Sequence, residues 1–343
     1  MRLISKAKNA MSYPMTVWRL GAGGTDRSYY PEHPQKSTFA RRLDLLKWMS
    51  RYGEVCENYY LWGLDLKDST ENWKQYQPMK EFIRTRNRMN HSPQTVLLRD
   101  KFLFFKYMSS MNMPVPEVFG LVKSGRLYNS VMDPIEITQI EQKADFFCKA
   151  INGECGVQVK HIRQGSLFND YLKRIGYSDS ILQERVVQHT LMDTLNPNAV
   201  NTIRIVTVNK GGTVCLFHSI LRIGTAESKE RDNTSQGGIA VGIHNDGRLY
   251  AFGLRKPEFG GKTSSHPDTG VVFSEFTIPY YQKAVDLCCA AHRLFYDIKT
   301  IGWDVAITED GPVFIEGNDN WEMQTFQAIY GGLRDEWLDI CRE

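Results

Sequence analysis

The sequence predicts an α+β protein whose helices and strands are largely segregated along the chain. Helical periodicity and capping residues dominate residues 37–89, whereas strand-like runs separated by tight Gly-containing turns dominate residues 201–254. Residues 301–320 add two more strand-like runs joined by one turn. Because short turns join antiparallel neighbours, we expect antiparallel sheets rather than the parallel sheets of alternating α/β chains.

The composition is that of an ordinary globular protein. With 343 residues, 42% hydrophobic and 24% charged, the chain has enough residues for two or three lobes. A formal charge of +3, without aromatic residues among basic runs, gives no basis for nucleic-acid binding. Seven cysteines without metal-ligand spacing are expected to be buried thiols. With neither a signal-peptide-like start nor a transmembrane segment, we expect a cytoplasmic protein.

Residues 1–93 are expected to form a mainly helical lobe that packs and positions rather than reacts. Residues 37–52 begin at a Ser cap and stop at Gly53, which predicts a helix. Its apolar face would consist of Phe39, Leu43, Leu46 and Met49. Phe39, Tyr60 and Trp62 are expected in the core.

The first fifty residues are basic, with nine Lys or Arg against three acids. We interpret this excess as a solvated face and a loose terminus. Weak contact with an acidic glycan or a membrane surface is the alternative.

The middle of the chain places two lysines beside elements that suit phosphate binding. Lys101 follows Asp100 at the start of a helix predicted over residues 97–111. Lys149 lies in a strand predicted over residues 144–150, and residues 151–162 turn and return as a second strand. Such a flap can cover phosphates with backbone N–H groups. A plain hairpin explains the same residues equally well.

The strand predicted over residues 180–187 ends in Glu184, Arg185 and Val187. An edge that combines a side-chain acceptor with free backbone groups suits an adenine ring, whose amino group donates while a ring nitrogen accepts. Many edge strands share these traits.

Arg204 and Arg222 lie within apolar strand runs. A buried guanidinium without an anionic partner is costly, so each requires a carboxylate or a phosphate. An internal salt bridge would serve either arginine singly, whereas two arginines on adjacent strands favour an anionic ligand.

Two polar loops are candidates for substrate binding. They contain Asp232, Asn233, His266 and Asp268. Either loop is equally well explained as a solvent-facing turn.

Residues 301–320 predict a hairpin that brings two carboxylates together. If Thr308 and Pro312 close a three-residue turn, Asp304 lies directly opposite Glu316 and Asn318 points to the same side. Facing carboxylates are unfavourable unless a cation lies between them, and oxygen ligands suit Mg²⁺. The opposite face would carry Val305, Ile307, Val313 and Ile315. The alternative is a hairpin with a solvated polar face.

The order of these features resembles the ATP-grasp superfamily. The segments GWDVAITEDGPVFIEGN, NTIRIVT, LRIG, DNTSQGGIAVGI and HPDTG are similar to its sugar-transfer-associated group, related to glutamate-ligase-like and hexapeptide-transferase-linked proteins. The resemblance covers residues 95–325. It implies an ATP-grasp fold in which two α+β lobes, expected at residues 94–190 and 191–343, clasp ATP beside the N-terminal helical lobe.

The resemblance also implies roles for individual residues. Those that would hold ATP are Lys101, Lys149, Glu154, Gly156, Glu184, Arg185 and Val187. Those that would hold Mg²⁺ are Asp304, Glu316 and Asn318. Those that would act in catalysis, at the γ-phosphate or an acyl phosphate, are Lys149, Arg204 and Arg222. One departure is Ala150, where the superfamily commonly has a proline after the flap lysine.

The implied activity is an ADP-forming ligase that activates a carboxylate as an acyl phosphate and joins it to an amine. The resemblance places the carboxylate on a sugar or glycan precursor. A kinase that phosphorylates a hydroxyl group and a binding module without catalysis are the alternatives. Retention of both lysines with Asp304, Glu316 and Asn318 argues against the binding module.

Overall fold

The computed structural model describes residues 15–23, 27–69, 72–143, 145–152, 159–163, 168–174, 176, 178–228, 232 and 234–342. Within these residues the chain forms two sheets, and their strands pair antiparallel. Helices cover parts of both sheets. The predicted α+β class is therefore confirmed.

Helix α1 (Thr38–Tyr52) matches the helix predicted from its capping residues. The Ser37 side chain accepts a hydrogen bond from the Ala40 amide (3.3 Å), and Gly53 ends the helix in the left-handed conformation with φ of 69°. The helices that follow are α2 (Met79–Met89), α3 (Thr95–Arg99) and α4 (Lys101–Ser110).

The apolar face predicted for α1 is wrong for three of its four residues, whereas Met49 packs against the core. Phe39, Leu43 and Leu46 are exposed, by 77%, 42% and 45%. The side chains that the helix buries are Arg41, Leu45 and Trp48. Arg41 lies inward because its guanidinium donates to carbonyls of Gly21 (3.2 Å) and Lys36 (3.0 Å). Trp48 packs in an aromatic core with Tyr60 and Trp62, both buried as predicted.

The smaller sheet has five strands in the order β2-β1-β5-β3-β4. They are β1 (Val118–Lys123), β2 (Arg126–Tyr128), β3 (Phe146–Ala150), β4 (Val159–Ile162) and β5 (Ser180–Glu184). Helices α5 (Ile137–Glu141) and α6 (Phe168–Arg174) share a core with this sheet. Residues 153–158, the predicted flap turn, lie outside the described residues.

The larger sheet has seven strands in the order β10-β9-β8-β7-β6-β11-β12. They are β6 (Thr202–Lys210), β7 (Thr213–Ile223), β8 (Ile239–Ile243), β9 (Leu249–Leu254), β10 (Lys262–Thr263), β11 (Thr300–Thr308) and β12 (Gly311–Asn318). The remaining helices are α7 (Thr190–Asp193), α8 (Tyr281–His292), α9 (Gln324–Tyr330) and α10 (Arg334–Arg342).

The larger sheet is covered on one face and only partly on the other. On the first face, Leu221 and Trp303 share a core with residues of α8, α3 and α4. On the second face, Val206 shares a core with residues of α2, α9 and α10. Arg204 and Asp304 lie directly opposite each other on adjacent strands of this second face, and both line a cleft. Polar side chains are therefore left beside a cleft rather than under helices.

The terminal hairpin places the predicted carboxylates opposite each other by an unpredicted route. Strands β11 and β12 pair Asp304 with Glu316, as predicted. The turn closes at Thr308 and Gly311, so it contains two residues rather than three. The pairing then shifts at a bulge after Asp304, which leaves Ile315 as the extra residue and restores the predicted register.

The bulge also changes which residues share a face of the hairpin. Val305 and Ile307 are buried in the core opposite the carboxylates, as predicted. Ile315 instead lines the cleft. Val313 pairs with Ala306 and so lies on the carboxylates' side of the strands, contrary to the prediction.

The predicted division into residues 1–93, 94–190 and 191–343 stays a prediction. Helix α2 packs its Phe82 ring against Trp321 and Trp337, so part of the N-terminal region shares a core with the end of the chain. None of the described helices has the length and apolarity needed to span a membrane.

The corrected face of α1 leads to a stability prediction. Replacing Phe39 by Ser should change the free energy of unfolding by no more than about 0.5 kcal/mol, because that ring is largely exposed. Replacing the fully buried Leu45 by Ala should cost about 2–5 kcal/mol. Urea unfolding of the two variants checks both values, and a larger loss for Phe39→Ser than for Leu45→Ala would contradict the assignment.

Candidate functional site

A cleft of about 1060 Å³ is lined by residues of both sheets and of the N-terminal region. The smaller sheet and the chain that follows it contribute Lys149, Gln183, Glu184, Arg185, Val186 and Val187. The larger sheet contributes Thr202, Arg204, Arg222, Asp304, Glu316 and Asn318. Tyr29, Asn58 and Leu61 come from the N-terminal region, which therefore shapes the cleft as well as packing against it.

Asp304 and two arginines form the charged centre of the cleft. Strand pairing places Arg204 directly opposite Asp304, and Arg222 one strand further on, opposite Thr202. The Nε of Arg204 donates to Oδ1 of Asp304, and the Nη2 atoms of Arg204 and Arg222 lie 3.0 and 2.8 Å from its Oδ2. The immediate partner of both arginines is thus a carboxylate of the same chain, the alternative that the sequence left open.

The electrostatics of this centre keep Asp304 ionised. Burial alone would raise the pKa of Asp304, but the charges of Arg204 and Arg222 outweigh burial and hold that pKa well below its ordinary value. Burial opposes the charge on Arg222 as well. The charges of Asp232 and Asp304 outweigh it and raise the Arg222 pKa above its ordinary value.

Glu316 and Asn318 extend from β12 into the same cleft. The Asn318 amide donates to Oε1 of Glu316 (3.3 Å). Burial, followed by the charge of Asp304, raises the pKa of Glu316, so a cation beside this carboxylate would lower its free energy. The donor set of carboxylate and amide oxygens fits a hard cation such as Mg²⁺.

The described residues include no cluster of three or more His, Cys, Asp or Glu side chains suited to a metal ion. Of the three predicted metal ligands, Asp304 already accepts from two arginines through both of its oxygens. The residues that fit a cation best are therefore Glu316 and Asn318.

The two predicted lysines both line the cleft. Lys149, on β3, donates to Oε1 of Gln183 on the neighbouring strand β5 (2.7 Å). Burial lowers the pKa of Lys149 to about 8; the carboxylate of Glu316 raises it and the charge of Lys101 lowers it further. Lys101 begins α4, where Asp100 caps the helix by accepting from the amides of residues 102 and 103.

The predicted adenine-binding residues also reach the cleft, although their setting differs from the expected edge strand. Glu184 ends β5, which is the central strand of the smaller sheet. The Glu184 amide donates to the Glu117 carbonyl (2.8 Å), so it is not free for a ligand. The chain then leaves the sheet, and Arg185 and Val187 line the cleft beyond it. The predicted flap residues Glu154 and Gly156 lie outside the described residues.

The four predicted substrate residues fall in different places. Asp232 lines the cleft, accepts from the Thr202 hydroxyl and lies 3.4 Å from Nη2 of Arg222. Burial raises the pKa of Asp232. Asn233 lies outside the described residues.

His266 and Asp268 hydrogen-bond to backbone groups of the loops, and their predicted substrate role stays a prediction. The buried ring of His266 accepts at Nδ1 from the amides of Asp268 and Thr269 (both 3.3 Å), so its Nε2–H donates to the Gly224 carbonyl (2.8 Å). The carboxylate of Asp268 accepts from the Ala226 amide (2.8 Å). These bonds join two loops, and neither side chain is among those that line the cleft.

Sequence reasoning missed the residues that fix the end of β12. Arg99 of α3 donates to Asp319 through Nε (2.9 Å) and Nη2 (2.6 Å), and Asp319 is buried. Asn90 donates to the carbonyl of Asp319 (2.7 Å), and Nη1 of Arg86 donates to that of Asn320 (2.6 Å). These partners are more than 200 residues apart in the chain, so no local pattern could indicate them.

A protein-family model matches the second half of the chain. Residues 171–341, close to half of the chain, match the family model described as sugar-transfer associated ATP-grasp. Residues 171–341 therefore belong to the sugar-transfer associated ATP-grasp family. The resemblance and the ATP-grasp fold predicted from the sequence are thereby confirmed.

Three solved structures illustrate the ATP-grasp proteins that this chain is similar to. An ADP complex of N5-carboxyaminoimidazole ribonucleotide synthetase is 12% identical, with a TM-score of 0.42 over 68% of this chain and 51% of that one. D-alanine–D-alanine ligase from Bacillus anthracis is 11% identical, with a TM-score of 0.41 over 72% and 68%. L-amino acid ligase from Bacillus licheniformis is 9% identical, with a TM-score of 0.39 over 65% and 40%.

The ATP-grasp chain spans about half the length of the ribonucleotide synthetase and less than half that of the L-amino acid ligase. Identities and TM-scores this low give no basis for inferring the substrates of this chain. No curated protein matches the chain.

The contact between α3 and Asp319 leads to a testable prediction. Replacing Arg99 by Met leaves the buried Asp319 carboxylate without its guanidinium partner, which should lower the free energy of unfolding by about 1–3 kcal/mol. Arg342→Met, which breaks an exposed ion pair with Asp339, should have no measurable effect. Urea unfolding measures both, and equal stabilities of the two variants would contradict the positioning role of Arg99.

Proposed function

We propose that this ATP-grasp protein is an ADP-forming ligase that activates a carboxylate with ATP and joins it to an amine. The observation that carries the proposal is the convergence of four cations, two from each half of the cleft, beside the acidic pair Asp304 and Glu316. Lys101 and Lys149 come from α4 and the smaller sheet, and Arg204 and Arg222 from the larger sheet. A transferring phosphoryl group requires such charge neutralisation.

In this proposal the nucleotide lies along the cleft from the smaller sheet toward the larger one. Glu184 and the chain through Val187 bind adenine, and the two lysines bind phosphate oxygens. Glu316 and Asn318 hold Mg²⁺, which would neutralise phosphate charge when bound. Asp304 orients the two arginines, since it contacts both.

The proposed chemistry proceeds in two steps. A carboxylate oxygen of the substrate attacks the γ-phosphorus of ATP, the bond to the bridging oxygen breaks, and ADP leaves. Arg204 and Arg222 stabilise the charge on the transferring group and on the acyl phosphate. The amine then attacks the acyl carbon, the C–O bond to phosphate breaks, and inorganic phosphate departs.

The second step also requires removal of a proton from the attacking amine. Of the three titratable residues predicted to bind substrate in the polar loops, Asp232 lines the cleft, whereas His266 and Asp268 hydrogen-bond to loop backbone groups. Its raised pKa makes the Asp232 carboxylate a better proton acceptor than an exposed carboxylate. We assign the base role to Asp232.

The family description supports a sugar-linked substrate, and we propose a carboxylate-bearing sugar or glycan precursor as the acid. The test incubates the protein with MgATP and a panel of amino acids and uronic acids, measuring ADP and free phosphate separately. Phosphate release that requires both an acid and an amine supports ligation. ADP formation with phosphate retained on the product supports the kinase alternative, and no ADP with any pair supports the binding module.

Glu316 provides the most direct mutational test of the proposed metal site. Glu316→Gln removes one negative charge at nearly constant volume, so turnover should fall by at least about 100-fold while the fold is retained. The matched control is Glu322→Gln, at an exposed carboxylate on the rim of the same cleft. Steady-state rates measure the turnover of both variants, and circular dichroism measures whether they are folded. An unchanged rate for Glu316→Gln would contradict the assignment of Glu316 to the metal site.

Lys149 predicts how nucleotide affinity depends on pH. Its pKa near 8 means that the free protein loses this positive charge as the pH rises through 8. The dissociation constant for MgATP should therefore increase above pH 8, by up to about tenfold per pH unit until the affinity of the deprotonated form is reached.

The matched variant for that prediction is Lys149→Arg, which stays charged throughout this pH range. Its affinity for MgATP should show no inflection near pH 8. Calorimetric titrations between pH 7 and 10 measure both proteins, and identical pH profiles would rule out Lys149 as the titrating group.

A further inference from the structure

The far end of the cleft contains a buried arginine that the proposed reaction does not use. Arg255 directly follows β9, lines the cleft and is only 5% exposed. Its neighbour Leu254 pairs with Ala240, which in turn pairs with Arg222. Two strand spacings, roughly 10 Å, therefore separate the backbone at Leu254 from that at Arg222.

The guanidinium of Arg255 is incompletely satisfied within the described chain. Its Nε and Nη2 atoms are inaccessible to solvent and have no hydrogen-bond partner there. Nη2 lies 3.2 Å from Oε2 of Glu227, which is within ion-pair range. The Glu227 side chain is itself 46% exposed. A buried guanidinium with unused donors lowers the stability of the fold. Fold stability alone therefore does not explain why an arginine occupies position 255.

Specific backbone contacts fix the loop that contains Arg255. The Arg255 amide donates to the Gly261 carbonyl (3.1 Å), which closes the loop after β9. Gly261 has φ of +70°, and a Cβ there would lie 2.7 Å from the Tyr29 carbonyl oxygen, so only Gly permits this approach. The Lys262 amide donates to the same carbonyl (2.8 Å). The N-terminal segment is thus fixed against the arginine loop.

The charge at this end of the cleft favours an anion. Lys256 lines the cleft beside Arg255, as does Tyr29. Among the residues that the structure describes, the acids paired with these cations are Glu227 and Glu258, and neither lines the cleft. Of the described carboxylates, none paired with these two cations would lie between them and an anion in the cleft.

We propose that Arg255 binds a second anionic group of the acid substrate, a carboxylate or phosphoryl group at the opposite end from its reacting carboxylate. The substrate is then a dianion, with one end at Arg204 and Arg222 and the other at Arg255. The position of the reacting end rests on the proposed function, whereas the anion site at Arg255 does not.

The test locates an anion directly, without any turnover. Crystals of the full chain grown with MgADP are soaked in sodium selenate, whose selenium is found by anomalous scattering. We expect a peak within hydrogen-bonding distance of the Arg255 guanidinium. Excess inorganic phosphate or excess succinate should displace it, and the more effective competitor identifies the group as phosphoryl or carboxylate.

Two variants distinguish ligand binding from a structural ion pair. Arg255→Met should lose the selenate peak at this position, with the neutral polar variant Arg255→Gln as the replacement if the Met variant does not fold. Glu227→Gln, which removes only the acidic partner, should retain the peak. A peak that persists in the arginine variant, or is lost equally in Glu227→Gln, would overturn the proposal.

Other outcomes of the soak are equally decisive. No selenate at Arg255 would overturn the proposal, and a peak that neither competitor displaces would show an adventitious ion only. Selenate at Arg255 with none at Arg204 and Arg222 would support the Arg255 site while counting against the proposed reacting end.

Discussion

The charged centre of the cleft depends on one cross-strand arrangement, in which Asp304 on β11 faces Arg204 on β6 and also reaches Arg222 on β7. Each of these charges would be costly to bury alone, and together they compensate one another. The arrangement requires the register of three adjacent strands to be correct at once, because a slip of one residue would turn each side chain to the apolar face. Packing of that opposite face, around Trp303, therefore also determines where the charges lie.

The hairpin shows how far sequence reasoning could reach. Alternating residues and the Asp-Gly turn were sufficient to predict that Asp304 faces Glu316, and the structure agrees. The predicted route was nevertheless wrong, since a shorter turn and a bulge compensate for each other. Period-two patterns do not indicate bulges, so Ile315 and Val313 were assigned to the wrong face. The face of α1 was misassigned for a related reason, because backbone acceptors permit Arg41 to be buried in place of Phe39.

Long-range contacts were beyond prediction from the sequence. The lysines, the arginines and the acidic hairpin could be identified because their residue types are unusual for the runs that contain them. Arg99, Asn90 and Arg86, which hold the backbone after β12, have no such signal. The polar side chains of His266 and Asp268 hydrogen-bond to backbone groups of another loop, a contact that the sequence pattern did not indicate. The N-terminal region was expected to pack and position rather than react, but the sequence did not indicate that Tyr29, Asn58 and Leu61 line the cleft.

The central claim is that both sheets bind one molecule of MgATP between them. A crystal structure with Mg²⁺ and a non-hydrolysable ATP analogue tests this most directly. The account predicts adenine against residues 184–187, phosphate oxygens on Lys101 and Lys149, and the metal on Glu316 and Asn318. A nucleotide bound elsewhere, or a metal that contacts neither Glu316 nor Asn318, would contradict it.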